Sequence, residues 1–243
     1  PFVPLASKIN QDKDKRLQTI AKLICEAANI QNASTWALEN DEWDFAAVYF
    51  DMIDHFCHAF MQYSPPKLNS VSDNDFELYK DVINSAYRFQ DMLIGNLIKL
   101  AGEDTTIIIV SDHGFLSGKN RLEKLPSFTA APALQHRNHG IFAIKGPNIK
   151  KDAPLFGATL LDIAPTILTL FDLPIGEDMD GIPLTQVFNK AVEIKKVESW
   201  DKVAPEWNPI DKDKGNFSAE NLTILKQLVE LGYIEEMDPK DEK

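Results

Sequence analysis

Thr105-Thr106-Ile107-Ile108-Ile109-Val110 runs without a break in β-branching, and no other segment constrains the fold as tightly. Branching at Cβ favours a strand, and the lack of polar alternation implies that neither face of that strand meets water. Such a strand needs a layer above and a layer below. With short connections those layers are helices, so the run predicts an α/β architecture. A chain of 243 residues can bury one sizeable core, and an apolar fraction of 44% suits a globular protein. No apolar stretch approaches the roughly 18 residues of a membrane span.

The remaining periodicities supply the layers. Leu17, Ile20, Leu23, Ile24 and Ala27-Ala28 repeat at helical spacing from Lys13 to Ile30, with Asn10 and Asp12 as candidate caps. Asp44 to Phe50 reads as a short buried strand, and Ile53 to Tyr63 as a helix stopped by Pro65-Pro66. Phe76, Tyr79, Val82, Ile83, Ala86, Phe89, Leu93 and Leu97 mark one long helix from Asp75 to Leu100, ended by Gly102. Gly114 to Gln135 shows no period and is expected as a loop. Gly140 to Ile144 is a third strand closed by Gly146-Pro147, and Leu160 to Phe171 a short helix with Pro165 in its first turns. Together these segments predict an α/β fold with a mostly parallel sheet flanked by helices. The core is expected over residues 1–188, incomplete at the amino end. Residues 189–243 are expected to form a polar connector anchored by Trp200 and Trp207, a terminal helix from Ser218 to Leu231, and a charged tail.

Charge and cysteine content exclude little. A net charge of −12 argues against a nucleic-acid-binding surface, which depends on clustered Lys and Arg. It leaves open an anionic substrate held through metal ions, which reverse the local sign. Cys25 and Cys57 sit among apolar residues and are expected as buried free thiols rather than a bridge. Pro1-Phe2-Val3-Pro4 has neither an initiator Met nor the basic and apolar regions of an export signal, so the chain reads as a processed or excised piece.

The chemistry gathers at three places. Asp51, Asp54, His55 and His58 follow the segment ending at Phe50; Ser111, Asp112 and His113 follow the run ending at Val110; His136 and His139 precede Ile141. In open α/β sheets ligands bind beyond the carboxyl ends of strands, and all five histidines fall in these three clusters. Imidazole with carboxylate is the donor set of zinc and related divalent ions. Taken singly, each has a plainer reading: Asp54 and His58 as a solvated i, i+4 pair, Asp112-His113-Gly114 as a cap and turn, His136 or His139 as a loop residue. Their coincidence favours a metal site.

Ser111-Asp112-His113-Gly114-Phe115 resembles the Ser-Asp-His-Gly motif of the alkaline phosphatase superfamily. Tyr49 to Asp54, continuing through His58-Ala59-Phe60-Met61 to Tyr63-Ser64-Pro65-Pro66, resembles a segment of type I phosphodiesterase/nucleotide pyrophosphatase proteins. His136 with Gly140-Ile141-Phe142 and Gly146-Pro147, Leu161 to Thr166, and Asp178-Met179-Asp180-Gly181 resemble later segments in the same order. The resemblance implies an alkaline phosphatase-like partial domain that binds two divalent ions, zinc or alternatively manganese. It places Asp54, His58 and His136 on one ion and Asp112 and His113 on the other. His139, His55 and Asp51 are the alternative ligands or groups behind the ligands, with His55 and His139 otherwise facing substrate or lying on the surface.

The resemblance also implies a hydrolase of phosphodiesters or phosphomonoesters that acts on a small phosphate ester through in-line attack by a Thr or Ser hydroxyl. That nucleophile, with an Asp for the second ion, is expected upstream of residue 1, because no Ser or Thr in residues 1–44 follows a buried strand with an Asp before it. No catalytic nucleophile is therefore assigned within the chain, and the chain alone is expected to be inactive. The alternatives are a sulfatase or phosphomutase of the same superfamily, or a catalytically inert metal-binding or interaction fragment. Leu231-Gly232-Tyr233 resembles the junction where some relatives continue into helical repeats, and export is expected on resemblance only.

Overall fold

A computed structural model describes residues 2–128 and 130–203. In chain order it forms α1 (Arg16–Asn40), α2 (Met52–Phe60), α3 (Asp73–Tyr79), α4 (Val82–Ala101), β1 (Ile107–Val110), β2 (Gly114–Phe115), β3 (His136–Arg137), β4 (Phe142–Lys145), α5 (Ile163–Leu170), β5 (Ile175–Gly176) and β6 (Lys196–Val197). Short 3-10 turns join several of these. The chain divides into two units. One holds the residues up to Glu103 together with His113–Gly140; the other holds Asp104–Asp112 and the described residues from Ile141 onward.

The first unit is helical. In α1, Ile20, Leu23, Ala27 and Gln31 recur at three- and four-residue steps and are buried. Neither Asn10 nor Asp12 caps this helix; Asp14 Oδ1 accepts from the Arg16 amide at 3.0 Å instead. Helix α2 buries Met52, Phe56, Cys57 and Phe60, and it packs on both α1 and α4. The helix expected as one from Asp75 to Leu100 is two. Ser72 caps α3 by accepting from the Asp75 amide at 3.0 Å, and α4 starts afresh after Asp81. Buried Leu78, Tyr79, Val82, Ile83 and Ala86 keep helical spacing across the break, which is why periodicity does not reveal it. Gly102 ends α4 at φ +80°, a left-handed conformation that glycine adopts without a Cβ penalty.

Three expectations are corrected here. The segment from Asp44 to Phe50 forms no strand and is not buried: Phe45 is 57% and Tyr49 79% exposed. Apolar composition marks a strand only where a neighbouring strand takes up its backbone groups. Cys25 and Cys57 are free thiols, but Cys25 is exposed because it falls between the buried positions of α1; Cys57 is buried. The region from Gly114 to Gln135 is not all loop, since Gly114–Phe115 pairs antiparallel with His136–Arg137.

The second unit carries the β-branched run. β1 pairs antiparallel with β4, Ile107 opposite Lys145 and Val110 opposite Phe142. β5 and β6 form a short parallel pair. A largely parallel sheet is thus absent among the described residues. Parallel pairing needs a crossover that carries the chain back to its starting end, usually a helix. The described residues between β1 and β4 form only a hairpin and 3-10 turns, and the chain returns in the opposite direction. Nor is β1 covered on both faces, since Val110 is 42% exposed. A small core of Ile149, Leu184, Val187 and Phe188 lies beside Phe142 and Ile144 of β4. Trp200 anchors through its indole, which donates to the Pro174 carbonyl at 3.0 Å. Trp207, the helix from Ser218 to Leu231 and the tail lie outside the described residues. No helix among the described residues is long and apolar enough to cross a membrane.

Candidate metal centre

The i, i+4 spacing of Asp54 and His58 puts both on one face of α2, flanking the face that buries Phe56, Cys57 and Phe60. The β2–β3 hairpin brings the third group. Phe115 stands opposite His136 in its register, and Leu116 donates its amide to the Gln135 carbonyl at 2.8 Å. Gly114 is required at the hairpin's entry, because a Cβ there would lie 2.6 Å from the His139 carbonyl oxygen.

One ligand atom each from Asp54, His58 and His136 lies within 4.8 Å of the others. His58 Nε2 and His136 Nε2 are 3.0 Å apart, and each is 3.5 Å from Asp54 Oδ1. Zinc–ligand bonds of about 2.0–2.2 Å in tetrahedral geometry separate ligand atoms by about 3.3–3.6 Å; both carboxylate–imidazole spacings match a single small divalent ion, and the two imidazole nitrogens stand slightly inside that range. All three side chains are at most 19% exposed.

His113 approaches the same carboxylate. Its Nε2 is 3.7 Å from Asp54 Oδ1, and its ring stacks on His136 with centroids 3.8 Å apart at 13°. Its Nδ1 lies 3.1 Å from the Gly114 carbonyl, which can accept a hydrogen bond from a protonated Nδ1 and leave the Nε2 lone pair facing Asp54. Asp112 is exposed and belongs to the second unit. His139 is exposed. Asp51 and His55 meet each other at 3.9 Å and line an open recess with Glu26, Asn29 and Ile30 of α1.

Burial, and after it the neighbouring His136 ring, push the His58 imidazole down to about 4. Near pH 7 it is therefore neutral and keeps a lone pair for a cation. Two residues with no role in the sequence reading stand out, Phe115 against the centre and Arg121 against the segment that follows α2. Phe115 sets its ring edge-on against both His58 and His136, with centroids 4.8 and 5.1 Å away. It belongs to the Ser111–Phe115 motif, but nothing in its identity distinguishes a wall of the site from ordinary core. Arg121 bonds to backbone carbonyls, and such acceptors leave no trace in sequence.

A family model described as type I phosphodiesterase / nucleotide pyrophosphatase matches residues 5–167. No curated protein and no solved structure matches the chain significantly.

Proposed function

Because the chain belongs to the type I phosphodiesterase/nucleotide pyrophosphatase family of the alkaline phosphatase superfamily, we propose that it carries the metal-binding part of a hydrolase of phosphodiesters or phosphomonoesters. The observation that carries this reading is the meeting of Asp54, His58 and His136 at spacings suited to one divalent ion. In this reading those three hold the first ion. Asp112 and His113 belong to the second on the strength of the Ser-Asp-His-Gly motif, with zinc as the expected metal and manganese the alternative. The cations would supply positive charge to the phosphoryl oxygens and the leaving oxygen of a small phosphate ester.

The chain's own groups set the conditions for that chemistry. Asp54 adds a carboxylate to the imidazole donors, so cation binding draws on a Coulombic partner as well as on ring nitrogens. The bond between His113 and the Gly114 carbonyl fixes which ring nitrogen faces Asp54. Phe115 covers His58 and His136 from the hairpin side. No residue of the chain is assigned as nucleophile; the attacking Thr or Ser hydroxyl is placed upstream in this proposal.

Binding of inorganic phosphate tests it directly. Phosphate is expected to bind the purified chain only when zinc or manganese is present, and His58→Ala is expected to abolish that binding. Phosphate binding that ignores both metal and substitution would remove the basis of the proposal, and a stronger metal-dependent preference for sulfate would favour the sulfatase reading. The chain alone is expected to leave a bis-aryl phosphodiester unhydrolysed. Metal-dependent turnover would place the attacking group inside it.

A further inference from the structure

His58 and His136 are 78 residues apart in sequence, yet their Nε2 atoms meet at 3.0 Å. What holds the end of α2 against the β2–β3 hairpin therefore decides whether the centre exists. Among the described residues Arg121 is the sole buried cation, at 8% exposed, and its partners are backbone carbonyls. Its Nε donates to Gly118 at 2.9 Å, Nη1 to Met61 at 2.8 Å and Gln62 at 3.0 Å, and Nη2 to Pro66.

Met61 and Gln62 follow directly on α2, three and four residues after His58, whereas Gly118 and Arg121 lie inside the hairpin's excursion. The guanidinium thus bridges the segment leaving the ligand-bearing helix and the loop joining the two hairpin strands. Two residues on, the Glu123 carboxylate accepts the amides of Asn69 at 3.3 Å and Ser70 at 3.1 Å, tying the same two stretches a second time. A planar fork with five donors suits this task as an ammonium does not, since one group must satisfy several carbonyls in fixed directions.

We infer that Arg121 is a positioning residue for the metal centre: it fixes the end of α2 against the hairpin so that the His58 and His136 imidazoles meet. It touches neither imidazole, so it acts through the backbone that carries them. The inference rests on the metal reading only for the second arm of its test.

That test compares the wild-type chain with Arg121→Met, Arg121→Lys and the core truncation Leu93→Ala, which destabilises α4 without touching the clamp. In metal-free protein, nuclear Overhauser contacts between the His58 and His136 rings are expected in the wild type and in Leu93→Ala and lost in Arg121→Met. In a cobalt titration, Arg121→Met is expected to weaken binding by about tenfold or more, as loss of a group behind metal ligands commonly does. Arg121→Lys should fall between, keeping the charge but not the fork. A folded Arg121→Met that retains both the ring contacts and the affinity overturns the inference. So does an equal loss in Leu93→Ala, which would mean that stability alone governs the site. If Arg121→Met does not fold, unchanged ring contacts and affinity in Arg121→Lys overturn it instead. Should the wild type bind no cobalt, the metal reading falls, while the ring contacts still decide the role of Arg121.

Discussion

Arg16 gathers charges from three segments of the first unit. Its guanidinium donates to Asp14 at 2.7 Å, to Asp75 of α3 at 2.7 Å and to the Tyr63 hydroxyl at 2.8 Å, and it stands 4.3 Å above the Tyr79 ring. Tyr79, otherwise fully buried, donates its hydroxyl to Asp14 at 2.6 Å. Arg16 first, and the Tyr79 hydroxyl with it, hold the Asp14 carboxyl far below its ordinary value of 3.8. A folded-state value that is depressed means stability present above the ordinary value and lost as pH falls through it toward the folded one. Asp14→Asn is therefore expected to cost about 1.5–3 kcal/mol at pH 7, the scale of hydrogen bonds to charged groups. That cost should shrink only below pH 3.8 in denaturant titrations; a gap that stays constant down to pH 2 would mean that the charge of Asp14 is not what stabilises. The contrast with the metal centre shows what a sequence records at this scale. Asp54 and His58 announce themselves because both their chemistry and their spacing are written in residue types. The work of Asp14 depends on Tyr79, 65 positions away, and that of Arg121 on carbonyls every residue possesses.

Elements were legible where burial alone sets the period. α1 and α4 follow their apolar stripes, although α1 runs on to Asn40, well past the last apolar repeat recognised in it. Strands were less legible, since a strand is completed by a partner that the local sequence does not name. The Thr105–Val110 run did yield β1, yet its pairing is antiparallel, and the equally apolar segment before α2 yielded no strand. β2 and β3 are two residues each, too short for any alternation to register, and they nevertheless place Phe115 and His136. The closing turn of the second unit is held by polar anchors instead. Buried Asp162 accepts the Thr159 amide at 2.7 Å and the Ile182 amide at 2.8 Å, and Thr166 Oγ1 accepts the Leu184 amide at 2.8 Å. Gly181 sits where this turn crosses the start of α5, and a Cβ there would come within 2.0 Å of the Leu161 carbonyl oxygen. Gly181→Ala should accordingly destabilise the second unit by about 1–3 kcal/mol, the usual cost of overpacking. Urea unfolding followed by hydrogen exchange of the β1 and β4 amides would measure it. Unchanged protection would show that the turn yields without loss.

For the molecule as a whole, the proposed function asks a chain of net charge −12 to hold an anion, and divalent cations would be the means. Asp54, His58 and His136 offer three ligands, the number usual for a catalytic zinc site with one position left open. In the proposed reading Asp112 and His113 contribute only two ligands to a second ion, which would then bind far more weakly to this chain. Calorimetric titration with zinc is expected to show one tighter event, abolished by His58→Ala. His113→Ala should alter that event only modestly: its Nε2 reaches Asp54 Oδ1 at 3.7 Å, but it lies outside the closely spaced set of three. Linkage supplies an independent reading. A ligand that binds only the folded state, at 100 times its dissociation constant, stabilises by about 2.7 kcal/mol, and His58→Ala should erase that gain. Because the chain divides into two units, the gain must be read from probes within the first, such as amide protection in α2, rather than from one global midpoint. Equal losses from His58→Ala and His113→Ala would mean that Asp54 and all three imidazoles share a single ion. A larger loss at His113 would move the stronger site to the Ser-Asp-His-Gly cluster and leave the α2 histidine in the lesser role.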